Sequence, residues 1–404
     1  MTAVNPTERR NRPTVRLVER RTREVRLAAE DVTFLLAHAR HLIDVAPAFR
    51  RGFFRLTPRG IVGWFDTPNR RLAVAPKLPW PNVRMLLGLR EGGPSAEDGV
   101  EPATGLLDAL ASELAARLRE VTRYGLVTGY AERDDAARFL RGRLRTADHI
   151  RDLAARACPS HFPITESVLD LDTAWNRVPR VVAAGLLANP DLGPAAREEL
   201  ATALGPWAGL PVVPLTDDDF AAAEAEARAA HYGPLLSLCR FLNDGLATGR
   251  PDRPGTGAFL IDLGRAFEHY LRRGLTSALG SRPGWSVEAH PRFGVGPSEL
   301  VPDLMLRKHG RPGVVLDAKW KASGAAPDPA DLHQVLAYAA VTGARSVGLV
   351  YPGRRIARRR STVVGSDIQV SLVRVQVTGP LAECQRSLDT LTRWLCDGRG
   401  SRRA

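Results

Sequence analysis

Apolar and polar positions change rhythm three times along the chain. An early stretch, A-A-E-D-V-T-F-L-L-A-H-A-R, predicts a helix with acids near its start. Apolar runs then alternate with turn-formers in F-F-R-L-T-P-R-G-I-V-G-W-F-D-T-P-N-R-R-L-A-V-A-P-K-L, which predicts short strands and a hairpin around Asp66 to Asn69. From Thr104 to Arg123 the Leu and Ala spacing turns helical, with further helices predicted near 147–157, 173–187, 195–204 and 218–246. A run of turn-formers over residues 247–257 predicts a domain boundary. Beyond it, F-L-I-D-L-G-R-A-F-E-H-Y-L-R-R-G-L-T-S-A-L predicts one long helix, followed by strands W-S-V-E-A-H, D-L-M-L-R and V-V-L-D-A-K-W. Helix D-L-H-Q-V-L-A-Y-A-A-V and strands S-V-G-L-V-Y and Q-V-S-L-V-R-V-Q-V complete the series, which predicts a mixed sheet flanked by helices. The expected fold is α+β and multidomain: a β-rich N-terminal region over 1–145, a helical middle over 146–250, an α/β domain over 251–385 and a tail over 386–404.

Composition narrows the class. With 404 residues, 44% hydrophobic and 25% charged, the chain can bury several cores. Its apolar stretches stop short of bilayer length and its Arg-rich start lacks an apolar signal region, so a cytoplasmic protein without membrane contact is expected. Cys158, Cys239, Cys384 and Cys396 form no C-x-x-C pair, which argues against a zinc knuckle or disulfide framework. A net charge of +13 favours polyanionic partners, nucleic acid foremost. Of 57 basic residues only Lys77, Lys308, Lys319 and Lys321 are lysine. Two of them fall within D-A-K-W-K, where a compact ammonium suits a role that a planar guanidinium does not.

That segment carries the candidate chemistry. Metal-assisted phosphodiester hydrolysis needs carboxylates converging on one or two cations, with a positive group beside the attacking water and the phosphate. Asp303 opens a predicted strand, and thirteen residues separate it from Asp317. Strand alternation puts Asp317 and Lys319 on one face, and antiparallel pairing through R-K-H-G-R-P-G would bring Asp303 beside Asp317. The backbone carbonyl of Ala318 could supply another oxygen, and Lys319 could orient or deprotonate water or stabilise the phosphate. Glu268 stands in register with Leu271 and Leu275, a carboxylate within an apolar stripe that calls for a compensating cation. Gln334 and Tyr338 lie four apart on one helix face, placed to meet substrate. His38 and His41 have no third ligand nearby and read as a solvated helix face, while the run Arg354 to Arg360 reads equally as a solvated loop or a phosphate contact.

A helix with Glu268, strands with Asp303 and D-A-K, then Q-x-x-x-Y on a helix, follow the order of the PD-(D/E)xK nuclease core; the last pair resembles its RecB-like branch. Most of the chain resembles the McrC family, nuclease subunits of McrBC modification-dependent restriction systems. The resemblance is carried by G-I-V-G-W-F-D-T-P-N-R-R-L-A-V-A-P-K-L, F-L-R-G-R-L, D-T-A-W-N-R-V, V-P-D-L-M-L, V-L-D-A-K-W-K, D-L-H-Q-V-L-A-Y-A and G-L-V-Y-P. It implies a Mg²⁺-dependent endonuclease cutting double-stranded, 5-methylcytosine-modified DNA, with one or two ions at Asp303, Asp317, Ala318 and Glu268. It also implies an AAA+ GTPase ring of the McrB type as partner, docked by the N-terminal part. In keeping with that division, the chain has no G-x-x-x-x-G-K-[ST] phosphate loop, and no nucleotide is expected on it. Docking is expected to centre on Arg55 to Lys77, with Phe53, Phe54 and Trp64 more exposed than a core requires. Trp320 replaces the family's usual tyrosine, and His333 precedes the glutamine. The competing readings are a non-catalytic adaptor that activates an AAA+ ring and a stand-alone RecB-like nuclease.

Overall fold

The computed structural model describes residues 13–89, 102–156, 161–225, 231–248, 258–321 and 327–396. The chain opens with β1 (Thr14–Val18), β2 (Arg23–Arg26), α1 (Ala29–His38), β3 (Ile43–Pro47), β4 (Phe53–Pro58), β5 (Ile61–Asp66), β6 (Arg71–Ala75) and α2 (Trp80–Leu87). Helix α3 (Pro102–Tyr124) leads into β7 (Gly129–Ala137), β8 (Arg143–Leu144), α4 (Thr146–Arg156) and β9 (Phe162–Asp170). Four helices follow: α5 (Ala174–Leu187), α6 (Pro194–Leu204), α7 (Asp217–Ala225) and α8 (Gly233–Thr248). The remainder is β10 (Ala258–Asp262), α9 (Leu263–Leu279), β11 (Trp285–Ala289), β12 (Phe293–Val295), β13 (Ser298–Leu300), β14 (Leu304–Lys308) and β15 (Arg311–Ala318), then α10 (Pro329–Thr342), β16 (Ser346–Gly353), β17 (Ala357–Thr362), β18 (Gln369–Gln376) and α11 (Leu381–Cys396). The mixed α+β class is as expected.

The division into units is not. Residues 1–109 and 244–404 form one compact unit and 110–243 the other. The strand β10 explains why a cut at 250/251 fails. It pairs antiparallel with β5, Leu260 opposite Gly63, and completes a sheet in the order β1-β6-β5-β10. The first residues of the expected long helix are therefore strand, and Asp262 ends that strand by capping α9, accepting from the N–H groups of Gly264 and Arg265. Of the turn-rich run proposed as a boundary, residues 249–257 lie outside the described residues.

Strand β5 is buried along all six residues because it lies between β6 and β10. Gly63 is required there: its φ is +128°, and a Cβ would lie 2.0 Å from the Phe259 carbonyl oxygen. Trp64 is 1% exposed and packs its ring against Phe259, so it belongs to the core and not to an exposed patch; Phe53 and Phe54 are half-buried. Leu17, Leu35, Leu56, Phe65, Leu72 and Leu260 form this part's core.

Unit 110–243 contains a sheet that the helical reading of the middle missed, with β9 between β7 and β8. Gly129–Ala137 is mostly exposed, and Phe162–Asp170 buries only the adjacent Pro163 and Ile164, so no apolar alternation marks either strand. Trp207 and Tyr232 are both fully buried, and the Tyr232 ring packs against Trp207 and against Trp175 of α5. The Tyr232 hydroxyl donates to Asn176 Oδ1 at 2.6 Å and accepts from the Val127 N–H, while burial pushes its pKa up to about 12.

The second large sheet has the order β11-β14-β15-β16-β18-β17. Strand β14 runs antiparallel to both of its neighbours, β11 and β15, whereas β15, β16 and β18 run parallel. Helix α10 covers one face, with Val335, Tyr338 and Ala339 against Met305, Val315, Val347 and Leu349. Helices α9 and α11 pack together, with Gly274 so close to Leu388 that a Cβ would clash, and the Tyr270 hydroxyl donates to the Cys384 carbonyl. The expected tail over 386–404 is thus wrong in its first half: Leu388, Leu391 and Leu395 of α11 are buried. The Arg354 to Arg360 run is only partly a loop, because Ala357 onward forms the edge strand β17. Arg358 there turns inward, donating to the Trp394 carbonyl and to Ser371, with burial lowering its pKa to about 10.

Candidate metal centre

Register places the acids. Leu304 opposes Leu316 across β14 and β15, so one step further Asp303 opposes Asp317. Ala289 opposes Leu304 across β11 and β14, so His290 opposes Asp303, and the His290 N–H donates to the Asp303 carbonyl at 3.1 Å. His290, Asp303 and Asp317 therefore occupy one row across three neighbouring strands. Directly opposed residues present their side chains to the same face. For Asp303 and Asp317 that is the face of Met305 and Val315, which α10 covers.

Asp303 Oδ2 accepts the Ala318 N–H at 2.6 Å, which ties the end of β15 to the residue preceding β14. Burial, with Glu268 and Asp317 close by, raises the Asp303 pKa from 3.8 to about 8 despite the opposing Ala318 bond and Lys319. Asp317 is 1% exposed. Burial likewise raises its pKa, against the pull of Lys319. The Lys319 ammonium stands 2.7 Å from Asp317 Oδ2. Beyond that ion pair, neither carboxylate oxygen has a hydrogen-bond donor among the described residues. A buried carboxylate left so exposed to its own charge is costly without a further cation.

Lys319 is held in turn. Its Nζ donates to Gln334 Oε1 at 2.9 Å, Gln334 Nε2 donates to the Tyr338 hydroxyl at 2.6 Å, and that hydroxyl donates to the Val301 carbonyl at 3.1 Å. Tyr338 is 2% exposed, and burial raises its pKa to about 12. It faces the core, so its expected role of touching substrate is corrected: it positions Gln334, which positions Lys319. Glu268 projects from α9 beside the buried Phe267 and Leu271, as its register predicts. Oxygen atoms of Glu268 and Asp303 and a ring nitrogen of His290 all lie within 4.8 Å of one another.

Trp320 turns away from the acids. Its ring packs on Phe267 with centroids 5.6 Å apart, its Nε1 donates to buried Glu19 at 2.8 Å, and its carbonyl accepts from Arg20. The second lysine of the segment, Lys321, pairs with Asp331 at 2.7 Å and Asp328 at 3.2 Å. Asp331 also accepts from the Tyr351 hydroxyl. His333 is exposed on α10. His38 stacks against Phe34, and neither it nor His41 belongs to the one candidate cluster among the described residues.

A family model described as "McrBC 5-methylcytosine restriction system component" matches residues 56–352, which is 297 of 404 residues. The chain belongs to this McrBC family. Among solved structures it is similar to a chain of a half-complex of Thermococcus gammatolerans McrB AAA+ hexamers with bound McrC. That match has 16% identity, covers 93% of this chain and 98% of that one, and has a TM-score of 0.46. It is also similar to a chain of the Thermococcus gammatolerans McrBC complex, at 17% identity, 66% and 88% coverage and a TM-score of 0.41. No curated protein matches it. The McrBC match spans the whole row of His290, Asp303 and Asp317, and also Glu268, Lys319, Gln334 and Tyr338. His290 and Glu19 were missed in the sequence. His290 follows a strand with no periodic mark, and only the register of β11 against β14 could have found it. No helix among the described residues is long and apolar enough to cross a membrane.

Proposed function

We propose that this McrBC-family component is the cutting subunit of a GTP-dependent, modification-dependent restriction complex, acting on double-stranded DNA through a PD-(D/E)xK site. The buried, under-compensated pair Asp303 and Asp317 carries the reading: three carboxylates, counting Glu268, face a single ammonium. The carboxylates and the backbone carbonyl at Asp303, Asp317, Glu268 and Ala318 are oxygen donors, as a hard cation such as Mg²⁺ requires. Asp303, Asp317, Glu268 and the Ala318 carbonyl would hold it. Ala318 donates its N–H to Asp303, and a strand residue directs its N–H and C=O to the same side, so that carbonyl faces the acids too. Bound Mg²⁺ supplies the Lewis acid for phosphodiester hydrolysis.

The chain's own groups do the rest. Lys319, fixed by Asp317 and Gln334, presents Nζ where water attacks the phosphate, and can orient that water or balance charge gathering on the phosphate oxygens. Tyr338 and the Val301 carbonyl keep Gln334 from swinging away. Gln334 itself is half-buried, and substrate contact from α10 is assigned to it in this reading.

The partner is an AAA+ GTPase ring of the McrB type, and the N-terminal part docks on it and stimulates its GTP hydrolysis. The test pairs two readouts in one mixture of full chain, ring, Mg²⁺, GTP and modified plasmid. Asp317→Asn and Lys319→Ala each lose cleavage by a factor of ~10² or more, while GTP turnover by the ring persists. Undiminished cutting by either variant removes that residue from the site. Wild-type protein that stimulates GTP turnover without cutting, across several modified substrates, makes the chain an adaptor instead.

A further inference from the structure

The row that joins Asp303 to Asp317 does not end there. On the other flank of Asp303 stands His290, and α9 brings Glu268 to the same point, with Nε2 3.5 Å from Glu268 Oε2. Asp303 thus has Asp317 on one flank and His290 on the other, with Glu268 acting on both acids. Asp317, nine-tenths and more buried, has the Lys319 ammonium against one oxygen and no hydrogen-bond donor on either among the described residues. His290 holds a backbone φ of +50°, a conformation uncommon outside glycine, and its N–H is fastened to Asp303. Its ring is half-exposed, open to solvent on one side and to the acids on the other.

We propose that Glu268, His290 and Asp303 form a second cation position that shares Asp303 and Glu268 with the first and takes a divalent ion through one imidazole nitrogen. The inference rests on the nuclease reading above and deepens it. An oxygen-only set suits Mg²⁺, which keeps its waters and demands small octahedral geometry. A Glu-His-Asp set suits first-row transition ions, for which a neutral imidazole is a good ligand. The two positions accordingly differ in preference: the Asp303–Asp317 side accepts Mg²⁺, and the His290 side favours Mn²⁺ and its neighbours. The simpler alternative is a surface His–Glu ion pair that binds no metal.

Mn²⁺ is the probe, because its electron spin reports on nitrogen ligands directly. Electron spin-echo envelope modulation on the full wild-type chain with Mn²⁺ shows coupling to one ¹⁴N nucleus, and growth on ¹⁵N-histidine replaces it with ¹⁵N coupling. In His290→Asn, which tolerates the same backbone conformation, the coupling disappears. Mn²⁺ binding weakens ~10-fold or more and Mg²⁺ binding by less than ~3-fold, the scale set by loss of one ligand of the preferred type. Absence of nitrogen coupling in wild type, or its survival in His290→Asn, overturns the proposal, and the ¹⁵N measurement needs no variant to fold. Asp317→Asn separates the two levels. If it weakens Mg²⁺ binding while nitrogen coupling is absent in wild type, only the His290 position falls. If wild type binds neither ion, the nuclease reading falls with it.

Discussion

Removing one of the clustered acids is expected to make the metal-free protein more stable, and Asp303→Asn is the sharpest case. Asp303 is crowded by Glu268 and Asp317 and holds its proton up to about pH 8, against 3.8 ordinarily. In the unfolded chain the same carboxyl ionises near its ordinary value. At pH 7 this difference is worth up to ~4 kcal/mol against folding, from ~1.4 kcal/mol for each pH step between 3.8 and 7. Screening at the partly open rim reduces it to ~1–2 kcal/mol. Asparagine keeps an oxygen for the Ala318 N–H and carries no charge. In EDTA at pH 7, Asp303→Asn therefore raises Tm of the unit holding this site by about 2–8 °C. The sign with pH is fixed: between about pH 4 and pH 8 the folded state binds more protons than the unfolded one, so wild-type stability falls as pH rises. The advantage of the variant grows over the same window and vanishes near pH 4. Scanning calorimetry of both proteins at pH 5, 7 and 8 measures it. Saturating Mg²⁺ reverses the order, because only the wild type gains binding energy. A variant that melts below wild type in EDTA at pH 8 would refute the account of the buried acids.

Other outcomes follow from contacts nearer the edges. Trp320→Phe keeps the stack on Phe267 but leaves Glu19 without its Nε1 donor; the expected cost is ~1–3 kcal/mol in stability, with cleavage falling more than Mg²⁺ affinity, as titration calorimetry alongside plasmid cutting would show. An unchanged Tm would mean that water replaces the indole. Gly63→Ala forces a Cβ against the Phe259 carbonyl at a positive φ; a loss of ~3 kcal/mol or more is expected to appear as insoluble protein or a lowered Tm, whereas Gly52→Ala, with open space around it, costs far less.

The site was legible where strand alternation and short-range pairing set it. Asp317 and Lys319 two apart, and Asp303 across one tight turn, need only local geometry, and the structure brings them together as spaced. Glu268 showed as a break in an apolar stripe, and it sits beside the buried face of α9. The i, i+4 pair Gln334 and Tyr338 does share a face, but periodicity cannot say that this face looks inward; the 2% exposure of Tyr338 does. His290 and Glu19 arrive by long-range register and by contact with the first strands, neither of which leaves a periodic trace. β10 was hidden because F-L-I-D runs straight into the apolar pattern of α9; the readable sign was Asp262, a capping residue followed by glycine. Strand β7, mostly exposed, and β9, buried only at the adjacent Pro163 and Ile164, carry no alternation to find.

The late arrival of β10 has a bearing on synthesis. At ordinary ribosomal rates of 5–20 residues per second, on the order of 10–40 s pass between completion of β5 at Asp66 and emergence of β10 at Ala258. During that interval β5, apolar along its length, presents an open edge of backbone donors and acceptors, the kind of edge that recruits other chains. Everything made meanwhile belongs largely to the other unit, which can fold while the first waits. Nascent chains stalled before Ala258 should therefore be the aggregation-prone species and the natural clients of chaperones, and a permuted gene that places Ala258–Asp262 ahead of Thr14 should relieve them of that need.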